Sequence, residues 1–237
     1  MQREAALKNW LAGHYPAQSF DWAFAAADAD FRRYFRAVFA DGRSVVCMDA
    51  PPDKMSIAPY IQVQQLFDMV HVPAILAADE AQGFMALEDL GQITYLAALE
   101  HDPRLPVHQT LLLDAIDELV QLQLGSRAGV LPEYDAAVMR REMQLFPDWF
   151  VAKELGQSFN FKQQQLWQQT LDALLPALTA QPQVYVHRDF IVRNLMLTRE
   201  RPGILDFQDA LYGPISYDLV SLLRDALIAG EDEFVWD

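Results

Sequence analysis

Nine consecutive residues, His187-Arg188-Asp189-Phe190-Ile191-Val192-Arg193-Asn194-Leu195, restrict this chain more than any other stretch, and Asp206-Phe207-Gln208-Asp209 begins twelve positions after Asn194. An acid, an amide five positions later and a second acid beyond a hairpin-length gap form a set suited to phosphoryl transfer. That reaction needs one carboxylate to orient an attacking hydroxyl and accept its proton. It also needs hard oxygen ligands for the Mg²⁺ that bridges nucleotide phosphates. Asp189 fits the first task, and Asn194 and Asp206 fit the second. An isolated Asp–Asn pair is a common turn feature, but His187 ahead of it and Asp206 behind it favour catalysis.

The surrounding pattern sets this segment in the helical half of an α+β chain. Residues 3–12 carry Leu7, Trp10 and Leu11 on one helical stripe, and 31–48 read as a hairpin turning at Asp41-Gly42. A helix is expected over 58–70, with short strands at 73–78 and 84–88. From Thr94 onward long helical patterns cover 107–124, 134–155 and 161–180. Short strands follow at 184–186, at Asn194 to Leu197 and at Ile204-Leu205, then a last helix over 216–229. The change of character falls near Glu88-Asp89-Leu90-Gly91.

Thirty-three acidic residues against 18 basic ones give a formal net charge of −15. Such a surface repels phosphate backbones, which makes nucleic acid a poor partner. Cys47 stands alone, so an intramolecular disulfide and a cysteine-rich metal site are excluded. The first sixteen residues mix charges among apolar side chains and lack the core of a signal peptide. No uncharged apolar stretch approaches the roughly 20 residues needed to span a bilayer. The expectation is a cytoplasmic protein without a membrane partner, its oligomeric state open.

The loop and Asp206 together resemble the H-x-D-x-x-x-x-N catalytic loop and metal-binding aspartate of the protein-kinase-like superfamily. There is no D-F-G, no A-P-E and no activation segment, which points away from protein kinases. Ile204 to Ala210 (ILDFQDA) and Tyr217-Asp218-Leu219 resemble the aminoglycoside/choline kinase-like phosphotransferases. Phe31 to Arg36, Met48 to Pro52, Leu87 to Gly91, Phe146 to Trp149 and Gly213 to Leu219 are similar to stretches of the bacterial cell-wall amino-sugar kinases. Those enzymes phosphorylate N-acetylmuramate and N-acetylglucosamine at the anomeric hydroxyl and serve peptidoglycan recycling.

The resemblance implies a two-lobed protein-kinase-like fold. Residues 1–88 would form a small sheet lobe covering the nucleotide, and 89–237 a larger, mostly helical lobe with the catalytic loop, metal and acceptor site. It implies ATP and Mg²⁺ as cofactors and a sugar as acceptor. Asp189 becomes the base, Asn194 and Asp206 hold the metal, and Glu88 and Leu90 contact ATP at the hinge. His187 and Asp218 brace the loop. Asp209 is divided between acceptor or metal contact and a structural bond. Glu142 and Trp149, with Phe146, are divided between sugar contacts and ordinary packing.

Four departures stand out. The hairpin from about Ala25 to Met48 contains only Gly42, and its second strand carries Met48 where a phosphate-binding lysine is expected. Arg32, Arg33 or Lys54 must then supply the charge, and arginine contacts phosphate oxygens well. Asp30 sets a negative charge where a small hydroxyl residue is expected. Ile191-Val192 replaces a polar or Met-Pro pair in the loop. Related kinases continue with further helices, so truncation beyond Glu231 to Asp237 is an open alternative. So are a different small-alcohol acceptor, such as an aminoglycoside or choline, and a nucleotide-binding pseudokinase.

Overall fold

The computed structural model describes residues 2–27, 31–101 and 105–227. Asp30, residues 228–229 of the helix expected over 216–229 and Glu231 to Asp237 lie outside them, and within the described residues that helix spans only Tyr217–Leu223. The chain divides into two compact units, Met1–Glu118 with Ile191–Asp209, and Leu119–Phe190 with Ala210–Asp237.

The first unit opens with α1 (Gln2–His14) and β1 (Phe20–Ala27), followed by β2 (Arg33–Phe39) and β3 (Ser44–Asp49). After α2 (Ala58–Leu66) come β4 (Ile75–Asp79) and β5 (Phe84–Glu88), and the antiparallel sheet runs β1-β2-β3-β5-β4. Alternation gives the sheet two different faces. Phe35, Ala37, Phe39, Val45, Cys47, Phe84 and Ala86 point one way and bury Leu7 and Leu11 of α1, which stand one turn apart. Burial also pushes the Cys47 thiol up to about 12, so it is an inert apolar group rather than a nucleophile. Fully buried Asp49 fastens the helix, accepting hydrogen bonds from Arg3 at 2.6 and 2.8 Å and from Arg33 at 2.5 Å. Gly83 (φ +69°) turns β4 into β5, and a Cβ there would lie 1.8 Å from the Ala50 carbonyl oxygen. Any side chain at 83 would break that turn.

Residues 89–118 and 191–209 complete this unit. They include α3 (Tyr95–His101), the first part of α4 (Leu105–Leu124), a 3₁₀ turn (Val192–Asn194) and a small hairpin. The hairpin pairs β6 (Leu195–Met196) with β7 (Gly203–Ile204) through Leu195 opposite Ile204. The His71 carbonyl accepts from the Ile204 N–H at 2.8 Å, and Phe207 is buried against Tyr60 and Phe67. The segment before Asp206 is therefore fixed at its edge and underneath.

The second unit contains α5 (Ala136–Met143), a π-helical segment (Phe146–Glu154) and α6 (Phe161–Thr179). Its two-stranded sheet is completed by a strand before His187 (Gln183–Val186) and one after Asp209, β8 (Leu211–Pro214), and it ends in α7 (Tyr217–Leu223). Asp135 caps α5 by accepting from the Ala137 and Val138 N–H groups, and Asn160 with Gln163 forms a capping box on α6. Met139, Leu171, Leu175, Val184 and Val186 make the core with Tyr134.

Three expectations need correction. The helix expected over 134–155 is broken, because Pro147 has no N–H to give the preceding turn and its ring crowds the carbonyl four residues back. The helix expected over 58–70 stops at Leu66, where the chain drops fully buried Phe67 beside Phe207. Strands β1 and β8 and helix α3 were not expected; the run Ala25-Ala26-Ala27 hides the β signal of Phe20 and Trp22. Among the described residues no helix is long and apolar enough to cross a membrane.

Candidate active site

The sheet face opposite α1 lines a cavity of about 540 Å³ in the first unit. Tyr34 and Arg36 of β2, Val46 of β3 and Leu87 of β5 form one wall, and Glu88 to Gln92, Asn194 and Asp206 border the rest. Of the residues singled out from sequence, Glu88, Leu90, Asn194 and Asp206 thus meet around one space. Register explains the last two. Leu195 pairs with Ile204, and the Leu205 N–H donates to the Asn194 carbonyl at 2.9 Å, so Asn194 and Asp206 emerge side by side from neighbouring strands.

The three clustered arginines have separate partners. Arg33 is engaged by Asp49, on the α1 side of the sheet. Arg36 grips Asp89 with two bonds of 2.6 and 3.0 Å and donates to the Gly91 carbonyl at 2.7 Å. Arg32, only 7% exposed, places Nη2 3.5 Å from Asp206 Oδ1. Met48 is buried and uncharged, while Lys54 is exposed, with its Nζ 3.4 Å from Asp53. Arg32 is therefore the cation beside the proposed metal ligand.

Asp206 holds a left-handed backbone (φ +64°). Gln208 Nε2 donates to Asp206 Oδ1 at 2.8 Å and to Asp209 Oδ2 at 3.3 Å, whereas buried Gln208 Oε1 has no hydrogen-bond partner among the described residues. Carboxylate and amide oxygens with a spare buried acceptor nearby suit a hard cation such as Mg²⁺. Among the described residues no three His, Cys, Asp or Glu side chains cluster to hold a metal alone.

At the 88–91 segment the Glu88 carboxylate accepts from the Ala74 N–H at 3.2 Å, and Leu90 packs against Gly203. Burial alone would raise the Asp89 carboxyl. Hydrogen bonds from Arg36, Ser44 and the Gly91 N–H outweigh it and hold the group below the usual range. Sequence reasoning did not single out the Arg36–Asp89 pair as a site feature, although both residues lie in strings it quoted.

In the second unit the loop residues form a separate network. Asp218, 1% exposed, accepts from the His187 N–H at 2.6 Å and the Arg188 N–H at 2.9 Å. Burial pushes its carboxyl up to about 7 against the pull of those donors, and the neighbouring Asp189 charge adds to the rise. The Asp189 N–H donates to His187 Nδ1 at 3.3 Å, and half-buried Asp189 closes the loop. Glu142 is held by the Arg188 guanidinium and by the Tyr134 hydroxyl. Trp149 lies 64% exposed on the π-helical segment.

The sequence profile of the Phosphotransferase enzyme family matches residues 21–235. The chain belongs to this family. The phosphotransferase is 69% identical over 237 residues to an N-acetylmuramate/N-acetylglucosamine kinase of Neisseria meningitidis serogroup B, covering 100% of this chain and 71% of that one. Proteins of the same name from Pseudomonas aeruginosa and Pseudomonas putida are 47% and 44% identical, over 86% and 92% of this chain. The phosphotransferase spans 60% and 62% of their lengths. A crystal structure of aminoglycoside phosphotransferase APH(2'')-Ib with ADP bound superposes with a TM-score of 0.69 at 16% identity, over 98% of this chain and 79% of that one. Macrolide 2'-phosphotransferase MphH from Brachybacterium faecium gives 0.63 at 16% identity, over 98% and 80%. These likenesses establish the kinase-like α+β fold expected from the sequence, with an antiparallel sheet in the N-terminal part and helices in the C-terminal part.

Proposed function

We propose that this phosphotransferase moves the γ-phosphate of ATP to a hydroxyl of an amino sugar, N-acetylmuramate or N-acetylglucosamine, at the anomeric position. The observation that carries the reading is 69% identity along all 237 residues to a kinase named for those two sugars. A cytoplasmic role in returning peptidoglycan sugars to use goes with it.

In this reading Asp189 orients the sugar hydroxyl and takes its proton as the oxygen attacks. Asn194 and Asp206 are the residues that would hold Mg²⁺, whose charge, when bound, offsets that of the triphosphate. Arg32 supplies the fixed positive charge that Met48 lacks, since Arg33 is committed to Asp49. Glu88 and Leu90 border the nucleotide base. Residues 1–88 act as the nucleotide-covering part and 89–237 as the part that carries loop, metal and acceptor. Asp209 and Trp149 are candidate sugar contacts, and His187 and Asp218 support the loop.

The test is ADP release from Mg·ATP with N-acetylmuramate, N-acetylglucosamine, glucose, kanamycin and choline as acceptors. The two amino sugars should turn over and yield an acid-labile sugar phosphate. Turnover with kanamycin or choline alone would replace the acceptor. ATP binding without turnover of any acceptor would mark a pseudokinase. Asp189→Asn should lower kcat by roughly three orders of magnitude with the KM for ATP nearly unchanged.

A further inference from the structure

We propose that Glu142 and Tyr134 form a clamp that fixes the catalytic loop through Arg188, making Glu142 a positioning residue for Asp189 rather than a sugar ligand. The proposal rests on Asp189 being the base, as argued above.

Arg188 has φ +76°, a region that a residue with a Cβ leaves unless its surroundings hold it there. Two sets of groups do so. On the backbone side, Asp218 accepts the N–H groups of His187 and Arg188. On the side-chain side, Glu142 Oε1 pairs with Arg188 Nη2, and Glu142 Oε2 accepts from the Tyr134 hydroxyl. The Arg188 guanidinium also lies 5.9 Å from the centre of the Tyr134 ring. That ring meets the Tyr217 ring edge-on at 5.1 Å, and Tyr217 adjoins Asp218 in sequence. The contacts close a circuit, so Arg188 is held at its N–H and at its guanidinium by residues that support one another. Asp189 comes next in the chain, and its N–H is bound to His187 Nδ1.

Both oxygens of Glu142 are engaged within this circuit, which leaves it poorly placed to recognise a sugar. Its charge has a second consequence. An arginine adjacent to the base, left without a counter-ion, would stabilise the ionised Asp189 and make it a weaker proton acceptor. Glu142 neutralises that arginine. Burial raises the phenol groups of Tyr134 and Tyr217, so Tyr134 stays a hydrogen-bond donor at ordinary pH.

The test compares Glu142→Ala, Glu142→Gln, Arg188→Ala and the double variant Glu142→Ala/Arg188→Ala in purified protein, with Mg·ATP and N-acetylmuramate. Glu142→Ala should lower kcat about 10- to 100-fold, the range usual for residues that orient a functional group, with both KM values within about twofold. The acidic limb of its kcat profile should move to lower pH. Glu142→Gln, which keeps an acceptor for Tyr134, should recover part of the loss. The double variant should be no slower than Arg188→Ala. Arg140→Ala, on the same helix as Glu142, breaks an exposed pair with Asp172 of α6 and should leave kcat unchanged. A raised KM for the sugar at unchanged kcat would make Glu142 a sugar ligand and overturn the proposal. A lower melting temperature with unchanged kcat per folded molecule would reduce the clamp to a structural role and overturn it too. If Glu142→Ala does not fold, Glu142→Gln and Arg188→Lys give the same kcat, KM and pH comparison. Retained turnover in Asp189→Asn would remove the base assignment and the clamp's purpose with it, a failure distinguishable because Glu142 is intact there.

Discussion

Arg188 and Asp206 share a left-handed backbone, at φ +76° and +64°, yet the two are held in opposite ways. Arg188 is surrounded by fixed partners: two N–H bonds to buried Asp218 run along its segment, and its guanidinium is paired with Glu142. Asp206 keeps a side chain 28% exposed in a cavity wall, with a long 3.5 Å contact to Arg32 and one 2.8 Å bond from Gln208. The acceptor beside it, Gln208 Oε1, is buried without a partner among the described residues. Backbone strain is compensated by folding at the first position. At the second few protein partners do so. The segment at Arg188 is fixed by its neighbours, and the proposed metal ligand Asp206 is held loosely.

The largest expected effect comes from breaking the loosely held side. Asp206→Asn keeps size and hydrogen bonding but removes the charge, so kcat should fall by roughly 10³-fold. The melting temperature without ligand should move by no more than a few degrees, because little folding energy is invested at that position. The rise in melting temperature on adding Mg·ATP should shrink or vanish, since a ligand stabilises only in proportion to its affinity. Thermal melts with and without Mg·ATP, beside steady-state kinetics, check both. A variant that unfolds early yet keeps its Mg·ATP shift would invert the comparison.

Asp218→Asn should do the reverse. An amide offers one good acceptor where a carboxylate serves two buried N–H groups, and leaving one of them unpaired costs about 2–3 kcal/mol. That should appear as a drop of several degrees in melting temperature, with kcat reduced as the loop loosens. A pH series sharpens the result. The folded protein holds the Asp218 proton until about 7, while an ordinary aspartate releases it near 3.8. Between those values the folded state binds more protons than the unfolded one. Stability contributed by this group is therefore greatest at low pH and declines as pH rises, by roughly 1.4 kcal/mol for each pH unit in that window. The difference in unfolding free energy between wild type and Asp218→Asn should follow that slope and flatten above pH 7. A flat difference throughout would mean that burial does not govern the group.

The same contrast explains how much could be read from sequence. The loop, the second acid and the hairpin gap between them are local spacings, and they led directly to Asn194 and Asp206 on adjoining strands. The sheet hairpin at Asp41-Gly42 was legible for the same reason. Partners distant in sequence were not. Glu142 and Arg188 lie 46 positions apart, and Arg32 and Asp206 lie 174 apart, so no periodicity links them. Arg32, Arg33 and Arg36 stand within five positions of one another, and only strand alternation and the three carboxylates Asp206, Asp49 and Asp89 tell their roles apart. Glu142 is the clearest case: a polar residue near a site invites a ligand role, and only its two occupied oxygens argue for a brace.

Arg36 sharpens the comparison from a third position, because the Arg36–Asp89 pair combines features of both sides. Like Asp218, Asp89 is nearly buried, its side chain 5% exposed, and its partners are protein groups. Like Asp206, it borders the cavity, and Arg36 itself forms part of the wall. Among the described residues, Arg36→Ala leaves Asp89 with Ser44 and the Gly91 N–H, and it removes the Arg36 donor from the Gly91 carbonyl. The 89–91 segment should then lose its tie to β2, raising the KM for ATP about 10-fold while kcat changes less than threefold. The pH signature should be opposite in sign to that of Asp218. The Asp89 carboxyl is lowered from 3.8, so its stabilising contribution is present above that value and is lost as pH falls further. Wild type should therefore lose its stability advantage over Arg36→Ala on acidification below about pH 4. An unchanged ATP KM, or an advantage that survives acid, would show that the tie to β2 does not shape the proposed nucleotide pocket.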